Sequence, residues 1–209
     1  KFLAKLMHDK LPEKVFQILK NIGNVAEDMG FNAYAVGGFV RDLIMRYENL
    51  DIDIVIEGDG ILFASEFAKK YNCKIKTHER FSTAVFVFPD GFKLDVATAR
   101  LEYYERPGSL PTVELSSIKL DLYRRDFTIN TLAITLNQKN FGELKDFFGA
   151  ERDIKEKAIR VLHNLSFVED PTRVFRAIRF EQRFGFKISK HTQNLIKNAV
   201  KLDIFERIS

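Results

Sequence analysis

A glycine pair, followed one helix later by two aspartates spaced two apart, constrains this chain more than any other stretch. The segment reads Ala35-Val36-Gly37-Gly38-Phe39-Val40-Arg41-Asp42, then Asn49-Leu50-Asp51-Ile52-Asp53-Ile54-Val55-Ile56. Residues 33–37 predict a short buried strand ending at the glycines, 39–46 a helix and 51–57 a second strand. Residues i and i+2 of a strand share a face, so Asp51 and Asp53 aim at one spot while Ile52 and Ile54 turn to a core. Two hard oxygen ligands on one face suit Mg²⁺, which takes one or two carboxylates plus substrate phosphates. The glycines let backbone N–H groups approach such phosphates, and Arg41 offers a guanidinium to clamp them. Singly, an Asp-x-Asp also reads as strand-end or turn carboxylates, and a Gly-Gly as a plain turn. Together they point to metal-assisted chemistry on a nucleoside triphosphate.

A third carboxylate is available. Val85 to Phe88, the turn Pro89-Asp90-Gly91, and Phe92 to Ala97 predict a β-hairpin, with Asp95 between Leu94 and Val96 on the second arm. A carboxylate within an apolar strand destabilises it unless paired or metal-bound, so Asp95 either joins Asp51 and Asp53 or faces solvent on an alternating strand. Helical spacing of apolar residues predicts helices over 11–29 and 61–71. Residues 98–117, with Tyr103-Tyr104 and Leu110-Pro111, predict a long loop.

Two cationic clusters follow. In Arg124-Arg125-Asp126-Phe127-Thr128-Ile129-Asn130, Asp126 is expected as a helix N-cap, which places the arginines for an anion or leaves them as a surface pair. In Glu169-Asp170-Pro171-Thr172, Asp170 is expected to cap a helix with Pro171 at its first position. Arg173, Arg176, Arg179 and Arg183 then occupy an arc of roughly 120°, with Val174, Phe175 and Ile178 expected on the opposite arc. Four cations on one arc repel unless a polyanion sits among them. Asp170 and Arg173, one turn apart, present an acceptor beside a donor. That edge matches the N4 donor and N3 acceptor of cytosine and the N6 donor and N1 acceptor of adenine. Guanine and uracil present the reverse order.

The bulk properties exclude several classes. No apolar run approaches the ~20 residues of a membrane-spanning helix, and the start lacks signal-peptide organisation. One cysteine, Cys73, excludes an internal disulfide framework and a cysteine-based zinc site. It reads as a core or boundary thiol, in keeping with a cytoplasmic protein. From residue 151 onward, 13 Lys and Arg face 8 Asp and Glu, so an acidic partner is expected near that segment, unless the surplus is a solvated helical face. The missing initiator Met, and an end within the apolar-periodic Leu202-Asp203-Ile204-Phe205, suggest a piece of a longer chain.

These motifs, in this order over about residues 33–185, resemble the class II tRNA nucleotidyltransferases, the CCA-adding enzymes and their A-adding, CC-adding and poly(A) polymerase relatives. The resemblance implies an α+β fold: a polymerase β-like nucleotidyltransferase head, a mixed sheet with flanking helices, followed by an all-helical neck. The expected spans are a leading helix over 1–30, the catalytic head over 31–149 and the neck over 150–209, with the family's body and tail absent. It further implies that Asp51 and Asp53 hold two Mg²⁺ ions and that Asp95 is a third catalytic acid. Gly38, Arg41 and Arg125 would bind the sugar or phosphates, and Gly37, Asp126 and Asn130 belong to the same nucleotide-binding motifs. Asp170 and Arg173 would read the base, with Arg176 and Arg179 nearby.

The leading helix, Phe81-Ser82-Thr83-Ala84-Val85 and the 98–117 loop look most like the A-adding branch. The expected activity is template-independent transfer of AMP from ATP to a tRNA 3′ end in the cytoplasm, releasing pyrophosphate, with further domains in the parent chain. The rivals are a full CCA-adding or CC-adding enzyme that also takes CTP, and an inactive nucleotide-sensing or RNA-binding relative.

Overall fold

In the computed structural model, the described residues are 1–103, 112–115, 117–202 and 206, with side chains undescribed at 100–103 and 112–115. The tip of the expected 98–117 loop and most of the stretch after Leu202 lie outside them. The chain divides into two compact units: Lys1–Leu122 with Leu132–Lys145, and Tyr123–Thr131 with Asp146–Ser209.

The first unit is built on a mixed sheet. Its strands are β1 (Asn32–Val36), β2 (Asp53–Glu57), β3 (Lys74–His78), β4 (Thr83–Val87), β5 (Lys93–Thr98), β8 (Leu132–Thr135) and β9 (Leu144–Asp146), in the order β3-β4-β5-β2-β1-β8-β9. Between β5 and β8, β6 (Arg100–Tyr103) and β7 (Thr112–Leu115) pair antiparallel as a separate ribbon, so both flanks of the expected loop are paired strand. The hairpin of β4 and β5 forms as its alternation and turn residues predict, with Val85 opposite Asp95. The decisive pairing is parallel: β2 lies beside β5 with Asp53 opposite Asp95. That neighbour is reached only after a helix and two strands, and no local signal announces it.

Helices α1 (Ala4–Lys10), α2 (Glu13–Asp28), α3 (Gly38–Ile44) and α4 (Gly60–Lys70) flank this sheet. The 11–29 periodicity becomes α2, which buries Val15, Leu19, Ile22, Val25 and Ala26 and packs on β1. Each large apolar side chain so buried contributes about 1.5–3 kcal/mol. Helix α4 begins where Asp59 accepts from the N–H groups of Ile61 and Leu62, and it packs Phe63 and Phe67 against Phe86. Helix α2 approaches so closely that a Cβ on Gly23 would stand 1.7 Å from the Leu136 carbonyl oxygen. Cys73 is half-buried, and burial raises its thiol pKa, as suits an inert boundary thiol.

The second unit is helical apart from a short parallel pair, β10 (Ala158–Ile159) with β11 (Lys187–Ile188). Among the described residues its α-helices are α6 (Ala150–Glu156), α7 (Ser166–Glu169), α8 (Thr172–Phe184) and α9 (Lys190–Lys201); a further helix, α5 (Ile118–Tyr123), leads into the segment Tyr123–Thr131. The expected head span of 31–149 thus contains a stretch that clusters with later residues. The reason is polar as well as apolar. Thr128 Oγ1 donates to the fully buried Asp153 at 2.5 Å, and Phe127 packs edge-to-face on Phe180.

Helix α8 corrects one expectation. It buries Val174, Ala177 and Phe180, whereas Phe175 and Ile178 are 58% and 47% exposed. The buried stripe runs at a spacing of three, beside Arg173, which hydrogen bonds draw inward. Among the described residues no helix is long and apolar enough to cross a membrane.

Candidate active site

Strand alternation sets the first cluster. Ile52 and Ile54 are buried, which leaves Asp51 and Asp53 on the other face, and Leu94 and Val96 do the same for Asp95. One oxygen from each of Asp51, Asp53 and Asp95 lies within 4.8 Å of the others. The two readings of Asp95 therefore coincide: it faces outward, and the other acids stand on that face. The Asp95 N–H also reaches the Ile52 carbonyl at 3.4 Å, between the two aspartates. Partial burial first, and the Asp51 charge second, raise the Asp95 carboxyl above its ordinary pKa, while Lys93 pulls it down. Three carboxylates this close repel one another, and their hard oxygens fit a divalent cation that would relieve the repulsion.

The glycine pair stands where β1 turns into α3. Gly37 has φ +75°, a backbone that residues with a Cβ rarely adopt, and its carbonyl accepts from the N–H groups of Val40 and Arg41. Gly38 opens the helix, and a Cβ there would lie 3.2 Å from Arg41 Nη2, so the guanidinium rests against it. Arg41 is only 4% exposed and donates from Nε to Asp42 Oδ1 at 2.9 Å. An open phosphate clamp does not describe it: it is a fixed cation beside the glycine turn.

The other expected residues lie in the second unit. Asp126 is not a helix cap. The turn that follows is a short 3-10 helix, Thr128–Asn130, and Asp126 is a buried acceptor at its start. Its Oδ1 accepts from the N–H of Phe127 at 2.7 Å and from Asn130 Nδ2 at 2.9 Å. Its Oδ2 accepts from Arg176 Nε at 2.7 Å and lies 2.6 Å from Arg176 Nη2. Arg176 and Asp126, both expected at a nucleotide, are thus bound to each other. Arg125 is half-buried, and Arg179 and Arg183 are exposed along α8.

Asp170 and Arg173 stand at the start of α8. Asp170 Oδ1 accepts from the N–H and the hydroxyl of Thr172, holding the first turn. Arg173 Nη1 donates to the carbonyl and hydroxyl oxygens of Ser166 at 3.1 and 2.9 Å, and Nη2 to the Arg124 carbonyl at 2.9 Å. Glu169 pairs with the same guanidinium at 3.6 Å and with His163 at 3.3 Å. An arginine held at several points has lost its rotamer freedom before any ligand arrives. Ser166 was not singled out in the sequence, and Glu169, Asp42 and Asn49 stand within the quoted segments with no role read for them. An Asn two residues before Asp51 is a recognisable Asx-turn signal that could have found the last.

Residues 33–160 match the family model described as the Poly A polymerase head domain. The chain is 63% identical over 206 residues to the A-adding tRNA nucleotidyltransferase of Geobacter sulfurreducens, covering 99% of this chain and 23% of that protein. It is 48% identical over 174 residues to the A-adding tRNA nucleotidyltransferase of Aquifex aeolicus, covering 83% of this chain and 21% of that one. Among solved structures, the Thermotoga maritima CCA-adding enzyme complexed with tRNA aligns with a TM-score of 0.90 at 45% identity, over 100% of this chain and 47% of that chain. The chain therefore spans less than a quarter of the two relatives and about half of the solved enzyme.

Proposed function

The chain belongs to the Poly A polymerase head-domain family, and from that premise we propose that it is the nucleotidyltransferase portion of an A-adding tRNA nucleotidyltransferase. In this reading it transfers AMP from ATP to a tRNA 3′ end and releases pyrophosphate in the cytoplasm. The observation that carries it is the meeting of Asp51, Asp53 and Asp95 within 4.8 Å. A nucleotide sensor has no need of three mutually repelling carboxylates on one face. The names of the 63% and 48% identical relatives support the A-adding branch.

Asp51 and Asp53, with Asp95 beside them, would hold Mg²⁺. Bound there, the ions would lower the charge barrier between an attacking 3′-oxygen and a triphosphate and stabilise the departing pyrophosphate. The residues of the chain do the positioning. Gly37 and Gly38 bring the backbone close to the phosphates, and Arg41 adds a fixed positive charge beside them. Arg125, Asn130 and Arg179 are proposed as further polar groups for the nucleotide. Asp170 and Arg173 select the base through an acceptor and a donor, with Arg173 immobilised by Ser166 and Arg124. Asp126 and Arg176 act on this set indirectly, by holding the Arg124-Arg125 segment. No covalent enzyme intermediate is required, because positioning and charge neutralisation account for such transfers.

The likeness to a solved CCA-adding enzyme keeps a second reading in view, in which CTP is also a substrate. One experiment separates them. The parent protein is offered ATP with tRNA ending in C-C, and separately CTP alone with tRNA lacking C-C-A. A-addition predicts one A in the first case and slow, incomplete incorporation in the second, because cytosine fits the same edge but leaves a void. Efficient addition of two C residues would overturn the A-adding reading.

A further inference from the structure

One buried carboxylate connects two parts of the site that belong to different elements. Asp42, near the end of α3, is 1% exposed, and both its oxygens are engaged. Oδ1 accepts from Arg41 Nε at 2.9 Å, and Oδ2 accepts from Asn49 Nδ2 at 2.8 Å. Asn49 passes the connection on, because its Oδ1 accepts from the backbone N–H of Asp51 at 2.8 Å. The main chain reinforces the same link. The N–H of Tyr47 donates to the Asp42 carbonyl at 2.8 Å and that of Arg46 to the Leu43 carbonyl at 3.1 Å. This is the helix-ending arrangement that needs a left-handed residue, and Arg46 supplies it with φ +63°. The turn brings Asn49 back to Asp42.

The three acids are not held alike. Asp53 and Asp95 sit opposite each other in paired strands. Asp51 precedes β2, and its N–H goes to Asn49 instead of to a sheet ladder. We infer that Asn49 and Asp42 are positioning residues. Through them the helix that carries Arg41 also sets the place of the Asp51 carboxylate, so cation and metal ligand keep one fixed spacing. The inference rests on the reading of Asp51, Asp53 and Asp95 as a metal site.

The test is Mn²⁺ binding by the full chain, followed by the electron paramagnetic resonance of free Mn²⁺. The proteins are wild type, Asp51→Ala, Asn49→Ala, Asp42→Asn and the Asn49→Ala/Asp42→Asn double variant. Asn49→Ala should weaken Mn²⁺ about tenfold with unchanged far-ultraviolet circular dichroism, the scale seen when an outer partner of a metal ligand is removed. The double variant should bind no worse than its weaker single parent, because both act along one path. In turnover, the kcat lost by Asn49→Ala should return at high divalent concentration, with the KM for ATP unmoved. Mn²⁺ affinity within twofold of wild type in Asn49→Ala, or additive losses in the double variant, would overturn the inference. If Asp42→Asn does not fold, the Asn49→Ala comparison alone decides. Equal binding by wild type and Asp51→Ala is a different result, since it removes the metal reading itself.

Discussion

Arg176→Ala should destabilise the second unit by about 2 kcal/mol, before any nucleotide is added. Asp126 is 7% exposed and receives both Nε and Nη2 of Arg176 on one oxygen. Removing one partner of a buried ion pair costs about 3–5 kcal/mol, because the other charge stays behind uncompensated. Arg176 is 51% exposed, so water takes over part of its place and the cost falls to roughly half of that range. The N–H of Phe127 and the amide of Asn130 still satisfy the other oxygen, which keeps the loss from growing. Urea unfolding of wild type, Arg176→Ala, Asp126→Asn and the double variant gives the coupling energy, expected at about 1–2 kcal/mol. Hydrogen exchange at the Thr128 and Asn130 amides, which bond to the Arg160 and Phe127 carbonyls, assigns the change to this segment. A contact to nucleotide predicts the opposite pattern: unchanged stability of the free protein and weakened ATP binding. A shift below about 0.5 kcal/mol, or additive single effects, would refute the ion-pair argument.

Three further outcomes follow from geometry already described. The raised pKa of Asp95 means that its contribution to the metal-free fold is fully present below the ordinary aspartate value and is lost as pH rises through the raised one. Asp95→Asn should therefore melt above wild type at pH 7 in chelator, lose most of the melting-temperature gain from added Mg²⁺, and transfer nucleotide at least 100-fold more slowly; melting below wild type in chelator would contradict this. Asp170→Ala should reduce the preference for ATP over GTP and UTP by about 1–3 kcal/mol, the worth of one buried hydrogen-bond mismatch; unchanged ratios of kcat/KM would show that the Asp170–Arg173 edge does not read the base. Gly23→Ala gains about 1 kcal/mol of helix propensity, yet its Cβ meets the Leu136 carbonyl at 1.7 Å, so a net loss of about 3 kcal/mol or more is expected in thermal melts; a stabilised variant would mean that α2 can shift freely.

What was legible in the sequence was local. The spacing of Val15, Leu19, Ile22 and Val25 marked α2, and Pro89-Asp90-Gly91 between alternating arms marked the β4–β5 hairpin. Asp51 and Asp53 could be placed on one face because strand alternation is a two-residue rule. Asp95 was a candidate only by its odd setting between Leu94 and Val96, since the parallel pairing of β2 with β5 depends on residues about forty apart. Asp126 looked like a helix cap because its partner, Arg176, lies fifty residues away. The buried face of α8 was misplaced for a related reason. Arg173 was grouped with the other arginines of the arc, but it turns inward because Ser166 and the Arg124 carbonyl accept its hydrogen bonds.

The chain enters the second unit at Tyr123, returns to the first at Leu132, and re-enters the second at Asp146. One cut cannot separate the two. A fragment beginning at residue 146 would carry Asp153, fully buried, without the Thr128 hydroxyl that donates to it, and Arg176 without the Asp126 carboxylate. Such a piece should be expressed as an unstable, protease-sensitive peptide unless residues 123–131 are tethered back onto it. A chimera that swaps a single contiguous tail at residue 146 between divergent relatives would set Asp153 and Arg176 against a 123–131 segment from another chain, and should be less stable than either parent.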